Sequence, residues 1–112
     1  MPLFRTSTHA SGAQIFHFQG RVTFGRETEA CRQTLKSLLS RGDRNIVFDL
    51  SQVEAVDSAG IGFLVSCLTT VKNEGGRLRL AQPQQRVEYV LGITKLYTVF
   101  DVAPTVEQAV QK

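Results

Sequence analysis

Asn45-Ile46-Val47-Phe48-Asp49-Leu50, running on into Ser51-Gln52-Val53-Glu54-Ala55-Val56-Asp57-Ser58-Ala59-Gly60-Ile61-Gly62, decides the architecture of this chain. The first six residues are β-formers with an apolar core, too short for a stable helix and suited to a parallel strand buried on both faces. They predict the central strand of a sheet. After Asp57-Ser58, the residues Ile61, Leu64, Val65, Leu68 and Val71 follow the spacing of one helical face until Glu74-Gly75-Gly76 stops the pattern. The stretch from Ser51 to Gly62 is therefore expected to link the central strand to the best-marked helix, where open α/β sheets place their binding groups.

Outward from that unit, Leu3 to Val22 suits two strands joined by a turn at Ser11-Gly12-Ala13. Gly25 and Gly42-Asp43 bracket a helix whose apolar face is Cys31, Leu35, Leu38 and Leu39. Downstream, Arg77-Leu78-Arg79-Leu80-Ala81 alternates as a strand, and Gln82-Pro83 breaks it. Val87, Val90 and Leu91 mark a short helix, and Val99-Phe100-Asp101-Val102 reads as a further strand. Thr105 with Gln108 three residues on is a capping-box pattern for a last helix, whose stripe is Val106, Ala109 and Val110. Two strands followed by alternating helices and strands require crossover connections, so the expected fold is a single α/β domain over residues 1–112, with a mixed, mainly parallel sheet and about four helices.

Composition narrows the function classes. An apolar content of 42% with 21% charged residues is that of an ordinary globular domain. The apolar runs fall far short of the roughly 20 residues a bilayer requires, and Met1-Pro2-Leu3-Phe4-Arg5 lacks a signal-peptide core, so a cytoplasmic location without membrane contact is expected. The net charge of +3 is spread over scattered basic residues without an aromatic platform, which argues against direct nucleic-acid binding. Cys31 and Cys67 fall on apolar helix positions with no metal-ligand spacing around them. Reduced core thiols are expected, with no metal and no cofactor.

The chemistry of the Ser51–Gly62 segment is a hydroxyl at or next to a helix N-cap, flanked by a carboxylate and followed by two glycines in the first turns. A cap alone would account for Asp57 or Ser58. Two helical glycines are harder to account for by packing, since each costs on the order of 1 kcal/mol relative to alanine. They are expected to leave a smooth surface around Ser58. Phe63 lies off the apolar stripe beside the motif, which leaves open whether it is exposed to a partner or buried by a broad helix face. Phe16, Phe18, Phe48 and Phe100 are assigned to the core.

The run from Asn45 to Ser51, leading to Val56-Asp57-Ser58-Ala59-Gly60-Ile61-Gly62, resembles the signature of STAS-domain anti-sigma factor antagonists. Gly75-Gly76-Arg77-Leu78 to Pro83, Arg86-Val87 to Leu91-Gly92-Ile93-Thr94, and Leu96 to Phe100 before Glu107-Gln108-Ala109-Val110 are similar to the family pattern as well. The likeness covers roughly the last two-thirds of the chain. It implies that Ser58 is the phosphorylation site of a partner switch. In that scheme the unphosphorylated form binds an anti-sigma factor that is itself a serine kinase, freeing the sigma factor, and a serine phosphatase resets the phosphorylated form. The implied partner-binding residues are Asp57, Ser58, Ala59, Gly60, Ile61, Gly62, Phe63 and Thr23. In Gly20-Arg21-Val22-Thr23 the chain departs from the pattern, because Thr23 stands where many members carry an aspartate that assists the kinase encounter.

Two other readings compete. A hydrolase would use Ser58 on a strand-to-helix turn, but Val56 stands where G-x-S-x-G requires the first glycine. The available bases, His9 and His17, lie in the N-terminal strands, where histidines more often face solvent or pack, so the sequence gives no catalytic residues and no enzyme. The alternative among binding modules is a stand-alone STAS regulatory subunit of a transporter or other assembly, which shares the fold fully.

Overall fold

The computed structural model describes residues 3–23 and 25–111. Among them the chain runs β1 (Phe4–Thr8), β2 (Gln14–Val22), α1 (Arg26–Ser40), β3 (Asn45–Val56), α2 (Ser58–Asn73), β4 (Arg77–Ala81), α3 (Gln85–Ile93), a 3-10 turn (Leu96–Thr98), β5 (Asp101–Ala103) and α4 (Val106–Gln111). The strands lie in sequence order in one sheet. β1 is antiparallel to β2 and every later pairing is parallel, with β3 in the centre. The hairpin turn falls at the expected place, with Gly12 at a φ of 95° that favours glycine and His9 N–H donating to the Ala13 carbonyl.

Alternation along β3 splits the molecule into layers. Ile46, Phe48 and Leu50 face α1, α2 and α3, packing with Cys31, Leu35, Leu39, Leu64, Leu68, Val87 and Leu91. Phe16, Phe18, Phe48 and Phe63 make a chain of ring contacts through this core, with Phe18 edge-on to Phe48 at 4.8 Å between centroids. On the opposite face, Val47 meets Ala81, Ala103 and Ala109, so α4 covers only part of the sheet. Both cysteines are free and buried. Removal from water pushes the Cys67 thiol up to about 12 and the Cys31 thiol higher still.

The structure corrects the sequence expectations at three places. The segment from Ser51 to Val56 is strand rather than link. It continues β3 alongside β2, with Gln19 opposite Gln52 and Val22 opposite Val56, and two register shifts lie in this stretch. Those shifts space the buried residues as Leu50, Val53 and Val56, which hides the two-residue alternation of a strand. In α2 the buried face is Gly60, Phe63, Leu64, Cys67, Leu68 and Val71, so the helix is rotated from the expected stripe. Val65 is exposed and Ile61 only half-buried. Third, the last strand is Asp101–Ala103, after the turn Leu96–Thr98. Lys95, at φ 59°, ends α3, while Phe100 enters the core and Val99 is left outside.

Candidate functional site at the start of α2

β2 and β3 deliver their C-terminal ends side by side, and α2 starts there. Asp57 is the N-cap: its backbone is extended, and Oδ1 accepts the Gly60 N–H at 2.7 Å. Its carbonyl accepts the Ile61 N–H at 2.9 Å. The other carboxylate oxygen, Oδ2, accepts the Thr23 hydroxyl at 2.6 Å. Thr23, just past the end of β2, therefore ties the two strand ends together by holding the cap. Its hydroxyl, and then the Gly60 amide, keep Asp57 below the usual carboxylate range. A carboxylate at position 23 would face Asp57 with like charge, whereas the threonine donates to it.

With Asp57 committed to capping, Ser58 is left as the first helical residue. It is exposed, and its hydroxyl has no hydrogen-bond partner among the described residues. Ala59 and Gly62 flank it on the open side, and a methyl built at Gly62 meets nothing within 4 Å. Gly62 thus fits the expected smooth surface, but Gly60 does not. Gly60 is buried, and a methyl there would overlap the Val22 carbonyl and approach Val56 Cγ1 to 2.9 Å. Its role is the close approach of α2 to the end of β2. Of the two places left open for Phe63, the structure takes the core: it is 5% exposed and packed on Phe18, although its edge reaches a groove. That groove, about 300 Å³, runs between α1 and α2 and is lined by Thr28, Glu29, Arg32, Ala59, Gly62 and Ser66 as well.

The eight expected site residues thus divide. Asp57, Ser58, Ala59, Gly62 and Thr23 share one exposed corner, Ile61 is half-buried beside it, and Gly60 and Phe63 support it from beneath. Arg32, contributed by α1 to the groove, was invisible to motif reasoning because it lies 26 positions before Ser58 in sequence. Among the described residues no group of three or more metal-ligating side chains occurs, and no helix is long and apolar enough to cross a membrane.

Comparison with known proteins identifies the family of the fold. A Thermotoga neapolitana protein provisionally named an anti-sigma factor antagonist homolog is 36% identical over 74 residues, 66% of this chain and 66% of its own length, so the match spans just under two-thirds of that relative. The anti-sigma-B factor antagonist of Bacillus subtilis is 31% identical over 80 residues, 71% of this chain and 72% of that protein. The Bacillus cell fate determinant SpoIIAA, solved in its phosphorylated form, superposes with a TM-score of 0.74 at 17% identity, covering 96% of each chain, which speaks to the fold alone. The STAS domain pattern itself matches residues 5–109, from the first strand to the last helix, and the chain belongs to the STAS domain family, with anti-sigma factor antagonists among its relatives.

Proposed function

We propose that this protein is an anti-sigma factor antagonist whose binding is set by phosphorylation of Ser58. In this reading the unphosphorylated chain docks the start of α2 against an anti-sigma factor with serine kinase activity and so frees a sigma factor. Phosphorylation ends the contact, and a serine phosphatase restores it. The observation that carries the reading is the Ser58 hydroxyl, exposed at the first position of α2 and unpaired among the described residues, while its neighbour Asp57 does the capping. A hydroxyl so placed can enter a kinase active site without any part of the fold opening. The names of the relatives support the partner class.

The electrostatics favour release on phosphorylation. A phosphate adds a charge of about −1.5 to −2 at neutral pH. At Ser58 it would stand next to the Asp57 carboxylate. The helix N-terminus tolerates that charge in the free protein, so the domain keeps its fold, but a partner closing over it must strip its water. A hundredfold loss of affinity needs only about 2.7 kcal/mol. Calorimetric titration of the anti-sigma kinase with unmodified and phosphorylated protein tests this, alongside amide spectra of both forms. Equal affinities, or spectral changes throughout the domain, would refute it.

A further inference from the structure

The sheet face only partly covered by α4 carries a hydrogen-bonded array that the switch does not use. Arg5 and Ser7 of β1, His17 of β2 and Asp49 of β3 lie on it, since residues two apart share a strand face and the register sets Arg5 opposite His17 and His17 opposite Asp49. Ser7 Oγ is 2.8 Å from His17 Nε2, and His17 Nδ1 is 2.8 Å from Asp49 Oδ2. The proton positions follow from the chemistry of the ends. A carboxylate only accepts, so Nδ1 carries the hydrogen and donates to Asp49, which leaves the Nε2 lone pair to accept the Ser7 hydroxyl. Asp49 is itself held by the Ser51 N–H, which reaches Oδ1 at 3.0 Å. The imidazole and carboxylate side chains are only 21% and 13% exposed, while Ser7 is open to solvent.

Hydroxyl, imidazole and carboxylate joined in this order, through these atoms, form the arrangement that turns a serine into a nucleophile on several unrelated folds. We propose that Ser7 is a nucleophile toward activated carboxylic esters, with His17 as its general base and Asp49 as the residue that positions His17. The Ser7 Oγ to carbonyl-carbon bond forms as the hydroxyl proton passes to His17 Nε2. The bond from that carbon to the leaving oxygen then breaks, the departing alcohol or phenol takes the proton from His17, and the acyl group stays on Ser7 until water repeats the sequence. Arg5, on the same strand face, offers positive charge to the oxyanion. Because its side chain is exposed to solvent, that help is weak, and the site suits esters with good leaving groups such as aryl esters. A cavity of about 280 Å³ lined by Arg5, His17, Asp49, Ser51 and Gln52 adjoins the base, with Ser7 outside its lining. On the carboxylate, burial acts upward, but the Ser51 amide and the His17 bond outweigh it, so Asp49 stays ionised at neutral pH.

The test uses the full chain with a fluorophosphonate probe and with p-nitrophenyl acetate at neutral pH, followed by intact mass and peptide mapping. The expected result is one adduct on Ser7, lost in Ser7→Ala and formed about 10²–10⁴-fold more slowly in His17→Gln, the range general base catalysis supplies. Asp49→Asn should lower the rate, because an amide in its place can donate to Nδ1 and hold His17 in the wrong tautomer. An adduct absent from Ser7, or one formed on Ser7 at a rate indifferent to His17→Gln, overturns the proposal. If His17→Gln fails to fold by circular dichroism, Asp49→Asn decides, and an adduct formed on Ser7 in that variant at the unsubstituted rate overturns the proposal.

Discussion

Gly60 and Gly62 look equivalent as letters, and substituting each by alanine separates two physical roles. At Gly60 the added methyl overlaps the Val22 carbonyl and comes within 2.9 Å of Val56 Cγ1. The Val22 carbonyl also accepts the Asp57 N–H at 3.4 Å, so α2 cannot back away without loosening its own cap. Overpacking of this kind costs about 1–3 kcal/mol, and a clash with backbone belongs at the upper end because no rotamer relieves it. Alanine's helical advantage over glycine, about 1 kcal/mol in a helix interior, is smaller in a first turn. The net expectation for Gly60→Ala is a loss of about 1–3 kcal/mol. At about 4–8 °C per kcal/mol for a domain of roughly this size, Tm should fall by roughly 4–24 °C. Gly62→Ala meets nothing within 4 Å, so it should gain about 0.5–1 kcal/mol from reduced backbone freedom and melt a few degrees higher. Thermal and urea unfolding of the two variants provides the assay. Equal stability of Gly60→Ala and the unsubstituted protein would refute the close approach of α2 to β2.

Three further outcomes are expected. Ser58→Asp should leave Tm within a few degrees of the parent, because a negative charge at a helix N-terminus contributes roughly 0.3–1 kcal/mol; a cooperative loss of many degrees would show the hydroxyl to be structural. Thr23→Val removes the first hydrogen bond holding Asp57 ionised, so the Asp57 carboxyl titration followed by NMR should move up. Its sign for stability is that of a depressed carboxylate: the contribution is complete above the unfolded value of about 3.9 and is lost as pH falls through the lower folded value, so Thr23→Val should narrow the acid side of the stability profile. Cys31 and Cys67 should resist thiol reagents at pH 8 in the native protein and react on unfolding, since burial keeps both thiols protonated; native labelling at the unfolded rate would contradict their place in the core.

What could be seen in the sequence was whatever local periodicity encodes. Ile46 to Leu50, buried on both faces, and the Cys31-Leu35-Leu38-Leu39 stripe of α1 announce themselves by composition and spacing, and Thr105 marks the start of α4 by accepting the Gln108 N–H at 3.1 Å. The second half of β3 was hidden because its register shifts break the alternation that identifies a strand. The rotation of α2 was hidden because Gly60, the residue closest to the sheet, carries no hydrophobic signal at all. At the site, Asp57-Ser58 was legible as a cap, but the division of labour between them depended on Thr23, brought in by β2 from 34 positions away. The same limit concealed Ser7, His17 and Asp49, which lie on three strands and share no motif.

The overhang of β3 has a mechanical consequence. β4 pairs with β3 only from Asn45 to Asp49, so the strand continues to Val56 paired with β2 alone, with Gln84 Nε2 donating to the Ser51 carbonyl near the point where β4 stops. The corner bearing Ser58 is carried at the tip of a two-stranded cantilever rooted in a five-stranded sheet. Local opening energies follow local support, so amides of Gly20 to Val22 and Val53 to Val56 should exchange with solvent together, sooner than those of Ile46 to Phe48. If a partner grips the start of α2, the load falls on this two-stranded tip before it reaches the five-stranded part of the sheet, held at its base by the core packing of Val22, Val53 and Val56.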